Sequence, residues 1–177
     1  MTPLERRAAS GSNLVRPAVR VRHWRRGDVE QIADLYYQTV HRINSRDYGP
    51  RQIEAWAPRV EPRSWWLRRF KRRTVFVAEA AGRVVGFAEL YPAGKEVDCF
   101  YVHHGWQTRG VGRALLERLQ RAALRRRWGE LAADVSVTAR GFFERMGFRV
   151  LRVQKKWHRG RVLLQYRMVK RLHARMP

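Results

Sequence analysis

The sequence predicts an α/β fold, and three of its features do so. Apolar runs of strand length recur, among them Thr74 to Ala80 and Arg83 to Tyr91. Around them lie stretches with apolar residues three and four apart, the spacing of a helix with one buried face. A junction with two glycines, Gln107-Thr108-Arg109-Gly110-Val111-Gly112-Arg113, then joins an apolar run to such a stretch. At 177 residues the chain has the length of one domain with its own core.

The elements follow in order. Arg16 to Trp24 alternates polar and apolar residues after Pro17, which predicts a first strand. Arg25 to Asp28 makes a turn, with Asp28 as the helix N-cap because a carboxylate accepts an orphan backbone N–H. Ile32, Leu35, Tyr36, Val40 and Ile43 define a helix that stops at the Asn44 to Gly49 break. Pro50 suits the first turn of a short helix over Arg51 to Trp56, which ends before Pro58. A third helical segment over Pro62 to Phe70 carries the pair Trp65 and Trp66. The strands Thr74 to Ala80 and Arg83 to Tyr91 form an antiparallel hairpin through a tight turn at Gly82 and Arg83. After Pro92 to Lys95 comes the strand Val97 to Val102. The helix from Thr108 follows, burying Val111, Leu115, Leu116, Leu119, Ala122 and Ala123, with Gly129 as its C-cap. Leu131 to Val137 reads as a strand and Thr138 to Met146 as a short helix closed by Gly147. Phe148 to Trp157 and Arg161 to Val169 are the last strands, joined at His158-Arg159-Gly160.

Charge and composition narrow the function. The net charge is +23, and only five of the 38 basic residues are lysines. Arginines neutralise phosphates, so a nucleic-acid partner is one reading. Solvated arginines and a pocket for an anionic cofactor are the favoured one, and the sequence lacks a helix-turn-helix pattern or zinc-finger spacing. The single cysteine, Cys99, excludes an intramolecular disulfide and a cysteine-rich zinc site, and its apolar strand predicts a buried thiol. No apolar run has membrane-span length, and the first residues lack the apolar core of a secretory signal, so the expected location is the cytoplasm. The expected organisation is a basic arm over residues 1–18, one domain over 19–172 and a short tail over 173–177.

The glycine-bearing junction is suited to an anion. The first backbone N–H groups of a helix have no internal partner and the dipole there is positive. Glycine lets the main chain approach a phosphate because no Cβ intervenes. Gln-x-Arg-Gly-x-Gly after a strand resembles the acetyl-CoA loop of the GNAT family of N-acetyltransferases. Two further stretches resemble that family. Ala139 to Phe148 matches its late A-x-x-F-Y-E-x-x-G-F signature, and Val40 to Asn44 with Tyr48, Gln52, Ala55 and Trp56 matches the early helices of a bacterial subgroup. The resemblance covers residues 19–172. It implies a mixed, mostly antiparallel central sheet flanked by helices: a strand, two helices, three strands, a helix, a strand, a short helix and two strands.

What the resemblance implies for function is transfer of an acetyl group from acetyl-CoA to a primary amine of a small molecule or peptide. Amides of Gln107, Thr108, Arg109, Gly110, Val111, Gly112 and Arg113 would hold the pyrophosphate. Backbone of Phe100, Tyr101 and Val102 would pair with the pantetheine arm, with Phe143 packing beside it. For the general base, Glu96 and Asp98 share a strand face by period-two alternation, and Glu96 lies where some members carry their base. Glu89 is a third candidate. The late signature has Phe143 where many relatives place the tyrosine that protonates the departing thiolate; Tyr101, Tyr91, Tyr166 and Cys99 are substitutes on sequence grounds. His41, Asn44, Tyr48 and Trp56 are the expected acceptor contacts, and His103 and His104 follow the central strand. No metal site is expected, because neither a cysteine cluster nor an H-E-x-x-H motif is present. Paired edge strands in the family make a homodimer one option. The rival readings are an acyl-CoA-binding regulatory module without turnover and a nucleic-acid-binding basic protein.

Overall fold

A computed structural model describes residues 17–173. The expected arm over 1–18 and tail over 173–177 lie almost wholly outside the described residues. Within them are seven strands, β1 Arg20–His23, β2 Thr74–Ala80, β3 Arg83–Tyr91, β4 Glu96–Val102, β5 Glu130–Ser136, β6 Arg149–His158 and β7 Arg161–Arg171. The helices are α1 Val29–Arg42, α2 Pro50–Trp56, α3 Arg63–Phe70, α4 Val111–Arg125 and α5 Val137–Arg145. One sheet holds every strand in the order β1-β2-β3-β4-β5-β7-β6, and all its pairings are antiparallel except β4 with β5.

The sheet is buried on both faces where β2 and β3 run, which explains their nearly unbroken apolar sequences. Phe76, Ala78, Ala88 and Leu90 pack with Leu115, Leu116 and Leu119 of α4. Val75, Val77 and Phe87 point the other way, into a core shared with Ile32 and Leu35 of α1 and Trp66 and Phe70 of α3. A smaller core of Val40, Tyr48, Ile53, Ala57 and Leu163 ties α2 to β7. Among the described residues no helix is long and apolar enough to cross a membrane.

Three expectations need correction. Asp28 does not cap α1 with its side chain. It closes a single 3-10 turn over Arg26–Asp28, its carboxylate accepting the Arg25 N–H at 2.6 Å and two bonds from Arg22 at 2.7 and 2.9 Å. The helix after the junction starts at Val111 rather than Thr108, because Thr108 (φ 59°) and Gly110 (φ 80°) both take the left-handed conformation. Gly129 is not the C-cap of that helix. Arg127 makes the left-handed turn (φ 58°), and the Gly129 carbonyl accepts from Leu172 at the start of β5.

Two irregularities position the site. Opposite Glu89, β4 carries two residues, Asp98 and Cys99, where the ladder steps from Ala88↔Phe100 to Leu90↔Val97. Such a bulge reverses the alternation of faces. Val97 and Phe100 consequently pack on the α4 side, while Cys99 and Tyr101 face α1 and α3. The second irregularity lies between β4 and β5, whose register runs only through Glu96↔Ala132 and Val97↔Ala133 before the strands part.

Candidate active site

The parting of β4 and β5 leaves backbone groups unspent. His103 N–H donates to Val85 O at 2.9 Å and Tyr101 lies opposite Phe87, so antiparallel alternation turns the N–H and C=O of Phe100 and Val102 to the open edge. The Val102 carbonyl there accepts from Gln107 Nε2 at 2.7 Å and from Thr39 Oγ1 at 3.3 Å. Gln107 thus fixes the loop to the strand it follows.

Beyond Gln107 the chain enters α4 with its N-terminus bare. Ala114 is the first amide to bond back, to Gly110 O at 3.0 Å, leaving those of Val111, Gly112 and Arg113 outside the helical ladder. No side chain caps this end and its first turn holds no acid, so the dipole is uncompensated. The amides border a cleft of about 530 Å³, lined by Phe100, Val102, Gln107, Thr108, Gly110, Gly112 and Arg113 and closed opposite by Ser136, Thr138 and α5. A Cβ on Gly112 would stand 3.1 Å from the Phe142 ring, so glycine there lets α4 and α5 approach. The Thr138 hydroxyl, on the cleft wall, is buried with no hydrogen-bond partner among the described residues. Open amides, Arg113 and an orphan hydroxyl together suit a long ligand with a phosphorylated end and an amide-rich arm.

Not every expected residue of the loop faces the cleft. Val111 is in the core, and Arg109 is exposed with its guanidinium 5.3 Å from the Trp106 ring centre. Phe143 is buried against Phe100, Phe142 and Phe148, and reaches a neighbouring cavity instead.

That neighbouring cavity holds about 290 Å³ on the α3 side of the opening. Asn44, Phe100 and Ser136 line both spaces, so the two meet at that point. Aromatic walls come from Tyr36, Trp56, Trp65, Trp66 and Tyr101. The bulge in β4 brings Glu96, Asp98 and Cys99 onto the same wall.

The carboxylates are all engaged. Glu96 takes Arg167 Nη1 at 2.5 Å, and the same guanidinium nitrogen reaches Asp134 at 3.1 Å. Asp134 also pairs with Lys156. Asp98 takes Arg69 at 2.8 Å and Arg73 at 2.9 Å. Behind it Glu89 has no exposure and binds Arg69 Nε at 2.9 Å. Burial would raise the Asp134 carboxyl, but its bonds from Lys156 and Arg167 outweigh that and hold it below the usual carboxylate range. Burial pushes the Cys99 thiol and the Tyr101 phenol well up, so both keep their protons.

Of the expected acceptor contacts, Asn44 and Trp56 line the cavity. The structure places His41 and Tyr48 beside it, not on its wall. His41 Nε2 lies 2.8 Å from Ala57 O, and its ring packs on Tyr37. Tyr48 Oη donates to Leu164 O at 2.5 Å and accepts from Val137 N–H at 2.9 Å, tying β7 to α5. Burial raises that phenol to about 12. Tyr91 lies under the Arg73 guanidinium and Tyr166 under that of Arg140, neither on the wall of either space. His103 borders a third pocket, beside Asp34 and Arg83.

Several cavity residues escaped the sequence reading: Arg69, Asp134, Lys156, His158 and Gln165. Period-two alternation puts Lys156 and His158 on one face of β6, a signal that was available. Which cavity that face borders depends on β7 coming between β5 and β6, which local patterns do not encode.

Comparison with known proteins agrees with this geometry. The family model described as Acetyltransferase (GNAT) domain matches residues 44–170. The chain is 32% identical over 142 residues to the uncharacterised N-acetyltransferase YafP of Escherichia coli, covering 80% of this chain and 89% of that protein. The fold is similar to the crystal structure of a GCN5-related N-acetyltransferase from Rhodopseudomonas palustris, with TM-score 0.83, 26% identity and coverage of 90% and 99%. It is also similar to YncA of Salmonella typhimurium, solved with acetyl-CoA, with TM-score 0.68, 22% identity and coverage of 90% and 97%. The chain belongs to the GNAT family of acetyltransferases.

Proposed function

We propose that this protein transfers the acetyl group of acetyl-CoA to a primary amine of a small molecule or peptide, by direct attack of the neutral amine on the thioester. One observation carries the reading: a cleft with open helix amides meets, at Asn44, Phe100 and Ser136, a separate cavity with acidic and aromatic walls. The first space suits the cofactor, as acetyl-CoA in the complex of YncA supports, and the second suits the acceptor. Amides of Val111, Gly112 and Arg113 would receive the pyrophosphate, and the outward N–H and C=O of Phe100 with the N–H of Val102 would pair with the pantetheine arm. An N–H of that exposed strand edge is suited to the oxyanion that forms on attack.

Glu96, Asp98 and Asp134 give the acceptor cavity its acidic side, which favours entry of an ammonium group. Their guanidinium and ammonium partners balance that charge, so the cavity fits an acceptor with one cationic centre better than a polycation. Aromatic walls then hold the rest of the molecule by apolar contact.

The test is calorimetry with coenzyme A and acetyl-CoA, followed by a thiol-release assay on a panel of monoamines, amino acids, peptides and polyamines. Binding together with amine-dependent release of coenzyme A is expected. Binding without release from any amine would instead favour a regulatory module, and absence of binding would remove the reading.

A further inference from the structure

Of the basic side chains on the acceptor wall, Arg69, Lys156 and His158, only His158 stands in no ion pair among the described residues. His158, the last residue of β6, lines the cavity beside Lys156 and remains exposed to solvent. We propose that His158 is the general base that takes the proton from the acceptor ammonium, an inference that rests on the acetyltransferase reading above.

Elimination supports it first. Each carboxylate on the wall is held by a guanidinium or an ammonium: Glu96 by Arg167, Asp98 by Arg69 and Arg73, Asp134 by Lys156 and Arg167. Protonation of any of them would weaken its pairing with that cation. Cys99 accepts from Arg69 Nη2 at 3.1 Å in a buried place, and the Tyr101 ring is enclosed by Tyr36 and Phe87. Neither presents a basic atom.

The surroundings of His158 then fit the task. The Trp56 carbonyl lies near the imidazole and favours its charged form. Its charged neighbours come from every adjoining element. Lys156 shares its strand, with Asp134 beyond, and Arg159 follows in the turn, its Nη2 3.1 Å from Glu61. Arg161 stands opposite on β7, and Arg51 and Glu54 of α2 border the hairpin. Partial burial, then Arg159, lowers the imidazole below its usual value, and the Trp56 carbonyl only partly offsets this. The ring is therefore mostly neutral at pH 7, a better match to that pH than an ordinary carboxylate. Solvent exposure gives the proton a way out.

The step balances. The ammonium gives one proton to the imidazole, and the freed nitrogen pair forms a bond to the thioester carbonyl carbon. When the C–S bond breaks, the thiolate takes the second proton from the new C–N centre. The products are an amide and a free thiol, and the imidazolium returns its proton to water.

The experiment compares His158→Asn, His158→Ala and Glu96→Gln with the parent protein, using whichever panel amine turns over fastest and, failing any, water as the attacking group in acetyl-CoA hydrolysis. Calorimetry with acetyl-CoA is run on each. The expected result is unchanged acetyl-CoA affinity, kcat lower by about 100-fold in both His158 variants, and loss of the acid limb of the pH profile. That limb, in the parent, rises as pH passes through an imidazole value below 6.5. Added imidazole should restore part of the rate in His158→Ala. Glu96→Gln should keep the limb. An unchanged pH profile in the His158 variants or no rescue by imidazole would overturn the proposal alone, whereas a parent protein that binds acetyl-CoA without turnover would overturn the acetyltransferase reading and the proposal with it. Absence of acetyl-CoA binding in the parent would overturn the acetyltransferase reading beneath it.

Discussion

Arg69 closes on Glu89 with Nε 2.9 Å from Oε2, although the Glu89 side chain has no contact with solvent. Burial pushes the Glu89 carboxyl up, while Arg69 and Arg73 oppose that rise. The pair sits behind the smaller cavity and hands Arg69 on to Asp98 at 2.8 Å. Removing one member leaves the other buried without an adequate partner, since Arg73 is 3.7 Å away. Arg69→Met is therefore expected to cost about 3–5 kcal/mol in urea unfolding. The double variant Arg69→Met with Glu89→Leu should recover most of it. A double variant no more stable than the single one would show that the pairing is not the cause.

Acid should act on the first turn of the domain. Burial would raise the Asp28 carboxyl, but the Arg22 guanidinium and the Arg25 N–H outweigh it and hold it below the ordinary value. A folded value below the unfolded one means that the stabilisation is complete above the ordinary carboxylate range, near 4. It is lost as pH falls through the lower folded value. Asp28→Asn should cost about 2 kcal/mol at neutral pH. It should also flatten the dependence of the unfolding midpoint on pH below about 4. Urea titrations across that range read both effects.

Substitution at the glycines of the junction separates strain from crowding. Gly110 has φ 80° with open space where a Cβ would stand, so Gly110→Ala adds about 1–2 kcal/mol of backbone strain without a clash. Gly112→Ala instead pushes a Cβ to 3.1 Å from the Phe142 ring, which lines the larger cleft, the proposed cofactor site. Acetyl-CoA affinity should fall about tenfold in Gly112→Ala, a loss of about 1.4 kcal/mol. Gly129→Ala, with nothing near its Cβ, serves as the control. Calorimetric affinities that do not distinguish Gly112→Ala from Gly129→Ala would refute this account.

Thr138 offers a cleaner probe of the same cleft. Its hydroxyl is buried and unpartnered, a state that costs free energy unless a ligand relieves it. Thr138→Val keeps the shape, so the ligand-free protein should melt at the same temperature or slightly higher. Affinity for coenzyme A should weaken by about 1 kcal/mol. Equal affinity in both proteins would mean that the hydroxyl never meets the ligand.

Strands and helices were legible where a local cause fixes them. β2 and β3 have the predicted bounds because they are continuous apolar runs separated by a turn whose residues, Ala81 and Gly82, take left-handed angles. The strand-to-helix loop was legible because its glycines mark main-chain geometry, Gly110 taking φ 80°. What stayed hidden depends on long-range placement. The bulge at Asp98 and Cys99 is a mismatch between two strands, not a property of either. Asp28 looked like a cap until Arg22 and Arg25 claimed its oxygens. His41 and Tyr48 stand on the expected elements but turn to backbone carbonyls. His158 reaches the wall of the smaller cavity only because β6 pairs at the far edge, beyond β7.

The brief register between β4 and β5 also bears on cooperativity. With pairing limited to Glu96↔Ala132 and Val97↔Ala133, the ladder that joins the first four strands to the last three is short. Amides of Phe100 and Val102 should exchange with solvent far sooner than those of Phe87 or Val77, which lie inside complete ladders. A molecule lying along that opening replaces the missing rungs and bridges the two parts of the sheet. At a hundredfold excess over Kd, occupancy adds about 2.7 kcal/mol to unfolding, so under the proposed function ligand binding and mechanical continuity of the sheet share one unfilled edge.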